Sequence, residues 1–246
     1  MNLAWFRFYE ELNDFLPASR KKRSFSYSFD GNLSVKDAIE AIGIPHVEVD
    51  MILVNGISVD FSQKLKNEDN VSVYPVFESF DISAVTHLRE KPLRNTKFIL
   101  DVHLGKMAKY LRLLGFDTLY ESSYNDNEII SISKAEKRII LTRDRGLLKN
   151  NKVTHGCWIR SQHTCEQLKE VISRFDLRAG AKPFTRCLEC NSLLNDVKKE
   201  EISDFLPLRT KKYYDEFKHC PGCKRIYWEG SHYEKMKKHI EEILSS

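Results

Sequence analysis

The feature that most constrains this chain is a pair of CxxC motifs. Cys187 and Cys190 form the first motif, and Cys220 and Cys223 form the second, with 29 residues between the two motifs. Two such loops supply the four thiolates that a tetrahedral zinc ion takes at about 2.3 Å. Because four sulfurs close the coordination shell, the pattern predicts a structural zinc site that stabilises a small module. The alternatives are a redox dithiol or two disulfides, but neither motif opens a helix as a thioredoxin-like motif would.

The composition is that of a folding chain, with 246 residues, 41% hydrophobic and 30% charged. It excludes intrinsic disorder, and the length suits two or three small domains or one larger domain. No apolar run approaches the roughly 18 residues that span a bilayer, and residues 1–10 lack the apolar core of a signal peptide. We therefore expect a cytoplasmic protein without membrane contact, where paired cysteines more often bind metal than form disulfides.

Charge is divided unevenly along the chain. Residues 1–95 hold 11 Lys and Arg against 14 Asp and Glu, a net charge of −3. Residues 96–246 hold 28 against 21, a net charge of +7. This difference predicts an acidic N-terminal unit joined to a basic part that suits a polyanion such as nucleic acid.

The first 82 residues show strand patterns around one short helix. Ser34 is a typical N-cap, with Asp37 three residues later, and Asn55-Gly56 is a strong hairpin turn. The order ββαβββ is that of a β-grasp fold. The predicted helix covers residues 34–42, and the predicted strands cover residues 2–9, 24–29, 47–54, 57–61 and 71–76.

Within this unit, "VNGISVD" followed by "VSVYPV" resembles the ubiquitin-like sulfur-carrier proteins of molybdopterin and thiamine synthesis. Those carriers act through a C-terminal Gly-Gly tail, whereas this chain continues as "FESFDIS". A carrier role is therefore not expected. We expect the ubiquitin-like unit to bind a protein partner or to pack against the next domain.

Residues 83–95, which contain Pro92, are predicted to be a linker. From Lys97 onward, short apolar strands alternate with amphipathic helices, which predicts a parallel sheet with helices on both faces. The cysteine motifs and a final helix follow. We therefore divide the chain into a β-grasp domain (1–82), a linker (83–95), an α/β domain (96–176) and a zinc ribbon with a C-terminal helix (177–246).

Asp101 lies at the C-terminal end of the first predicted strand of the α/β domain, and Asp144 lies just past the predicted strand "RIILT". Because ligands bind outside the carboxyl ends of strands in open parallel sheets, these carboxylates are candidates for sharing a divalent cation. Asp126 and Glu128, at the start of an intervening helix, supply further acids. Oxygen ligands suit magnesium or manganese, which would lower the pKa of an attacking water in phosphodiester hydrolysis.

Each candidate acid also has a structural interpretation. An Asp after a strand commonly caps a turn or a helix, and Asn125 with Glu128 forms a capping-box pattern. Asp126 and Glu128 would also stabilise a helix N-terminus through the helix dipole. The spacing of the acids alone does not decide between metal binding and capping.

Basic residues surround these acids. Lys106, Lys109 and Arg112 lie on the side of the first α/β helix opposite its apolar face, where they are candidates for binding the backbone phosphates of a nucleic acid. An ordinary solvated helix face is the alternative. Arg143 and Arg145 flank the second aspartate, and they either bind phosphate or balance the acids.

Three segments closely resemble the RNase domain found at the C-terminus of the Mut-seven exonuclease. They are "FILDVHLGKMAKYLRLLGFDTLY", "NDNEIISISKAEKRIILTRDRGLL" and "CLECNSLL…HCPGCKRIYWEGSHYEKM", in this order over about residues 97–240. That family has a PIN-type nuclease fold with a zinc ribbon, and a ubiquitin-like unit is a usual companion. The resemblance implies a metal-dependent ribonuclease with Asp101, Asp144 and an acid at 126 or 128 as metal ligands. The stretch "VTHGCWIRS", after Asp144, offers no fourth acid, which leaves the number of catalytic metals open.

The leading hypothesis is an RNase that hydrolyses RNA, including structured RNAs such as tRNA or rRNA, with magnesium or manganese. The alternative is a non-catalytic RNA-binding protein that uses the zinc ribbon and the basic helix. Tyr227 and Trp228 could then stack on bases, although the core of the ribbon is the favoured place for them. A third hypothesis is an adaptor whose ubiquitin-like domain recognises a protein partner.

Overall fold

A computed structural model describes residues 1–75 and 96–245. The linker expected at 83–95 lies outside the described residues. The chain divides into two compact units. Among the described residues, the first unit contains residues 1–75 and Asn125–Trp158. The second unit contains Thr96–Tyr124 and residues 159–245. No helix in these ranges is long and apolar enough to cross a bilayer.

Five strands and one α-helix form the N-terminal domain: β1 (Asn2–Phe8), β2 (Phe25–Phe29), α1 (Val35–Ile42), β3 (Val49–Val54), β4 (Ile57–Val59) and β5 (Asn70–Pro75). The sheet order is β2-β1-β5-β3-β4. The central strands β1 and β5 run parallel, and the other neighbours run antiparallel. This is the mixed sheet of a β-grasp, as the sequence predicted.

The local sequence explains these elements. In β1, Ala4, Phe6 and Phe8 are buried because alternate residues of a strand face opposite sides of the sheet. Ser34 caps α1, its hydroxyl accepting a 3.1 Å hydrogen bond from the Asp37 amide. Asn55, with Gly56 after it, turns the β3–β4 hairpin with φ values of 51° and 83°.

The next segment alternates strands and helices: β6 (Lys97–Leu100), α2 (Gly105–Leu113), β7 (Asp117–Leu119), α3 (Asp126–Glu136), β8 (Ile139–Thr142), α4 (Arg145–Leu148), β9 (Gly156–Trp158) and α5 (Thr164–Arg174). Strand β6 runs parallel to β7, and strand β8 runs parallel to β9. The predicted parallel sheet is confirmed. Two details differ from what the sequence pattern predicts. The pattern makes Thr164 the N-cap of the last of these helices, whereas α5 begins at Thr164 with His163 as its N-cap. The short helix α4 after β8 was not predicted.

The C-terminal part contains β10 (Asn195–Val197), α6 (Lys199–Ile202), α7 (Leu208–Tyr213), β11 (Phe217–His219), β12 (Ile226–Trp228) and α8 (Ser231–Ser245). The three strands form an antiparallel sheet in the order β10-β11-β12. Its small core contains Ile202, Leu206 and Phe217. The strands and the helices α6 and α7 are too short to show a periodic pattern, and the sequence predicted only the final helix.

Candidate metal centres

The four cysteines of the CxxC motifs come together as one cluster. Their sulfur atoms all lie within 4.8 Å of one another, with 3.5 Å between Cys187 and Cys223 and 3.3 Å between Cys190 and Cys220. These separations exceed the roughly 2.05 Å of a disulfide bond, and all four cysteines are free. Ligands at about 2.3 Å from a tetrahedral zinc lie about 3.8 Å apart. The donor set and its spacing therefore suggest a zinc ion, as the motifs predicted.

The surroundings of the cluster favour thiolate at one position. Burial raises the pKa of the Cys190 thiol, but hydrogen bonds with Ser192 and the neighbouring cysteines outweigh it and lower that pKa to about 6. Burial raises the pKa of Cys223 to about 12. Hydrogen bonding therefore favours the thiolate form at Cys190, which is the form that binds metal.

Tyr227 and Trp228 belong to the structure of the ribbon. The Tyr227 hydroxyl lies 3.1 Å from the sulfur of Cys187, and burial raises its pKa. Trp228 packs on the small core beside Phe217. Both rings also line a cavity of about 530 Å³, together with Phe184 and other residues of the ribbon. Their packing accounts for both aromatic residues without a bound base.

Arg112 does not lie on a solvated helix face, so one expectation was wrong. Its side chain is buried, at 3% exposure, although the helical wheel placed it with Lys106 and Lys109. The guanidinium donates to the carbonyl oxygens of Leu188 and Glu189 at 3.0 and 2.6 Å, inside the first CxxC loop. It also donates to the carbonyl oxygens of Thr118 and Tyr120. Its donors are committed to backbone acceptors, so we remove it from the RNA-binding set.

A second set of hydrogen bonds holds the same loop. Asn191, which follows Cys190, donates to the Asp117 carboxylate at 2.8 Å and accepts from the Thr118 amide at 2.9 Å. Arg186, just before the loop, donates to the Gly115 carbonyl at 3.1 Å. The first cysteine loop is therefore fastened to the end of α2 and to β7, which orients its sulfur ligands.

The two aspartates lie just past the carboxyl ends of their strands, as the sequence predicted. Asp101 follows β6, is 7% exposed, and accepts a 2.6 Å hydrogen bond from the Val102 amide. Asp144 is exposed two residues after β8 and caps α4, accepting from the Gly146 amide at 2.7 Å. The Asp144 amide donates to the Thr142 hydroxyl at 2.8 Å. Both carboxylates follow the carboxyl ends of strands, and their joint role as metal ligands stays a prediction.

The acids at the start of α3 are distinguished by their contacts. Asn125 and Glu128 form the complete capping box. The Glu128 carboxylate accepts from the Asn125 amide at 2.8 Å, and the Asn125 side chain accepts from the Glu128 amide at 3.1 Å. Asp126 is the exposed first residue of α3. The capping role of Glu128 is thus observed, whereas Asp126 takes no part in the capping box.

The other basic candidates fall into three situations. Lys106 is exposed on α2, and Lys109 forms a 2.8 Å ion pair with Glu189. Arg143 has an exposed side chain. The guanidinium of Arg145 lies over an aromatic ring, 4.0 Å from the ring of Trp158. Among the five basic candidates, Lys106 and Arg143 are therefore the two whose side chains are exposed and take no part in the ion pair with Glu189, the aromatic contact of Arg145 or the carbonyl contacts of Arg112.

The fold and the cysteine cluster define a class of protein: a ubiquitin-like domain followed by a parallel α/β domain with a four-cysteine ribbon. Among residues 1–75 and 96–245, this cluster is the one group of three or more metal-binding side chains whose ligand atoms gather so closely.

The chain belongs to the Mut7-C RNAse domain family, whose model matches residues 96–240. Residues 1–81 match the Mut7-C ubiquitin model. No curated protein and no solved structure matches the chain. The resemblance inferred from the sequence is confirmed, and the family implies a ribonuclease that acts on RNA.

Proposed function

We propose that this protein is a ribonuclease that uses magnesium or manganese held by Asp101, Asp144 and an acid at 126 or 128. The observation that carries the proposal is the position of the two aspartates. Each follows the carboxyl end of a strand in the parallel sheet, the edge at which α/β folds bind ligands. The match of residues 96–240 to an RNase family supplies the reaction class.

The donor set fits a hard cation. Carboxylate oxygens suit magnesium and manganese, whereas the sulfur cluster suits zinc and leaves no open position for catalysis. When bound, the cation supplies charge at the scissile phosphate and lowers the pKa of the attacking water. One oxygen of Asp144 accepts from Gly146, and the carboxylate is exposed, so its second oxygen remains available to a cation.

The remaining groups of the chain orient the RNA. Lys106 and Arg143 present exposed cations to the phosphate backbone. Lys109 would have to exchange its ion pair with Glu189 for a phosphate, which makes it a weaker contributor. In-line attack at phosphorus would leave a 5′-phosphate and a 3′-hydroxyl. We propose structured RNAs such as tRNA or rRNA as substrates, and the reducing cytoplasm as the compartment that suits six free cysteines.

The test is the pair of variants Asp101→Asn and Asp144→Asn, with Asp204→Asn, an exposed acid of the ribbon, as the control. Asn caps a helix as well as Asp does, so Asp144→Asn removes the charge and keeps the cap of α4. We expect manganese-dependent cleavage of a mixed RNA pool to fall at least about 100-fold in both variants, the scale expected when one charge-stabilising group is lost. Binding of RNA should persist. Unchanged cleavage in both would contradict the assignment.

A non-catalytic RNA-binding protein is the second candidate. The observation that favours it is the cavity of about 530 Å³ in the ribbon, whose walls include Phe184, Trp228 and Tyr233. Aromatic walls of this kind can take an unpaired base. Purified protein that binds RNA at the ribbon, and cleaves none with either metal, would support this candidate against the nuclease.

A further inference from the structure

An aromatic and cationic cluster joins the ubiquitin-like domain to the segment that carries Asp144. Phe15 ends a 3-10 turn of the ubiquitin-like domain, Glu10–Phe15, and its ring centre lies 4.7 Å from that of Trp158 in β9. The guanidinium of Arg145 lies 5.0 Å from the Phe15 ring and 4.0 Å from the Trp158 ring. Phe15 is 5% exposed, so this contact is part of the packed interior.

A buried carboxylate fixes the other side of Trp158. Glu48, which has no exposed surface, accepts a 2.6 Å hydrogen bond from the Trp158 backbone amide. The Trp158 indole N–H in turn donates to the Arg143 carbonyl at 3.3 Å. A chain of contacts therefore runs from Glu48 of the ubiquitin-like domain through Trp158 to the residue before Asp144.

Two further hydrogen bonds hold the same surfaces together. The Lys149 ammonium, just after α4, donates to the Glu40 carbonyl at 2.8 Å. The His46 imidazole lies with one nitrogen 3.0 Å from the Val153 carbonyl and the other 2.7 Å from the Glu40 carboxylate. The ubiquitin-like domain thus contacts this segment at Arg145, the first residue of α4, and again at Lys149 and Val153 after α4.

We propose that the ubiquitin-like domain acts within its own chain, as the support that positions the Asp144 loop (residues 142–146). Both neighbours of Asp144 are held: Arg143 through its carbonyl and Arg145 through its guanidinium. Phe15 and Glu48 are then positioning residues, because they act through Arg145 and Trp158, which hold the residues on either side of Asp144. The catalytic consequence rests on the proposed nuclease function, whereas the ordering of the loop does not.

This arrangement also indicates which role Arg145 has, since its guanidinium contacts two aromatic rings. Its planar guanidinium stacks on two rings, a role that Lys fills poorly. Arg145 therefore holds the loop, and Arg143, whose side chain is exposed, is the one of the two that faces RNA. A phosphate-binding Arg145 would tolerate Lys, whereas a stacked Arg145 would not.

The experiment compares Phe15→Ala with Phe25→Ala in the full chain. Phe25 is a matched control, because it also belongs to the ubiquitin-like domain and also carries an arginine, Arg20, 4.8 Å from its ring. Hydrogen exchange is measured at the backbone amides of residues 143–148, a readout independent of activity. We expect about tenfold faster exchange there in Phe15→Ala, the change that loss of one cation–π contact predicts, and exchange like the wild type in Phe25→Ala. Phe15→Tyr, which keeps the ring, should restore protection.

The kinetic arm uses manganese-dependent RNA cleavage by the same variants and by Arg145→Lys. We expect kcat to fall about tenfold in Phe15→Ala and Arg145→Lys while KM for RNA stays constant, as misplacement of a reacting group predicts. Exchange at residues 143–148 that is equal in Phe15→Ala and Phe25→Ala would overturn the proposal. If Phe15→Ala fails to fold, Arg145→Lys with exchange and kcat like the wild type would overturn it equally. Faster exchange in a chain whose wild type cleaves no RNA would support the positioning role and reject the nuclease function.

Discussion

The guanidinium of Arg112 donates a 2.6 Å hydrogen bond to the backbone carbonyl of Glu189, inside the first cysteine loop. This contact joins α2 to a loop 77 residues later in the chain. Burial lowers the pKa of the Arg112 guanidinium, yet arginine stays charged at neutral pH, so a buried cation is balanced by carbonyl dipoles. The Arg112 guanidinium therefore joins α2 to the ribbon, and the buried charge is stable only while its carbonyl acceptors remain in place.

Arg112→Met should lower the free energy of unfolding by about 2–4 kcal/mol, because several carbonyl acceptors would be left buried without donors. Lys106→Met is the control on the same helix, since Lys106 is exposed, and it should stay within about 0.5 kcal/mol of the wild type. Urea unfolding of the zinc-loaded protein measures both. Equal effects of the two substitutions would mean that the Arg112 contacts contribute nothing.

The helical periodicity of α2 predicted its apolar face correctly, since Met107, Ala108 and Leu111 are buried. It placed Arg112 on a solvated face because a periodic pattern reports one apolar partner surface only. The second surface that α2 packs against is polar, because it consists of backbone carbonyls of the first cysteine loop. An apolar pattern in α2 therefore cannot indicate it. A long-range contact between a guanidinium and backbone carbonyls leaves no sequence pattern.

Gly115, just after α2, should not tolerate a side chain. Its φ is +93°, and a Cβ there would overlap the carbonyl oxygen of Lys182. Lys182 is held in place because its backbone amide donates a hydrogen bond to the Leu114 carbonyl. Gly115→Ala should therefore cost about 2 kcal/mol or more. Gly180→Ala is the control, because the nearest atom to its Cβ is 3.8 Å away, and it should change stability by less than about 0.5 kcal/mol. Thermal unfolding distinguishes the two, and a similar loss in both variants would refute the steric argument.

Zinc removal should unfold the ribbon, because the zinc ion is structural and distinct from the proposed catalytic cation. We expect one zinc per chain by native mass spectrometry, and its loss together with a lower melting temperature in Cys220→Ser, since metal binding and folding are coupled in such modules. Cys165→Ser, in α5 and outside the cluster, should keep its zinc. A wild-type chain that carries no zinc and shows disulfides between these cysteines would disprove the assignment.

The candidate sites differ in how far the sequence determined them. CxxC spacing brings two ligands together within each loop, so local sequence was sufficient for the cysteines and for the capping box at Asn125. The cluster of Phe15, Arg145 and Trp158 was not predicted, because Phe15 and Trp158 are 143 residues apart in the chain and each member is an ordinary residue in its own segment. The sequence left open whether the ubiquitin-like domain binds a partner or packs against the next domain. These contacts show it packed on the segment around α4.

The capping box at α3 leads to a prediction that separates the two remaining acids. Glu128 already uses its carboxylate to accept from the Asn125 amide, whereas Asp126 carries an exposed carboxylate outside the box. We therefore expect Asp126 to be the third metal ligand. Asp126→Asn should lose manganese-dependent cleavage, and Glu128→Gln should keep it, because Gln also completes a capping box.

Stability measurements make this comparison decisive. Both substitutions should change the free energy of unfolding by less than about 1 kcal/mol, the scale of a charge near a helix N-terminus. Asn125→Ala, which removes the cap and leaves both acids in place, should cost about 1 kcal/mol and keep cleavage per folded molecule. The reverse result, with cleavage lost in Glu128→Gln and kept in Asp126→Asn, would assign the metal to Glu128. Glu128 would then bind the cation, as proposed for Asp144, through the carboxylate oxygen that takes no part in the capping hydrogen bond.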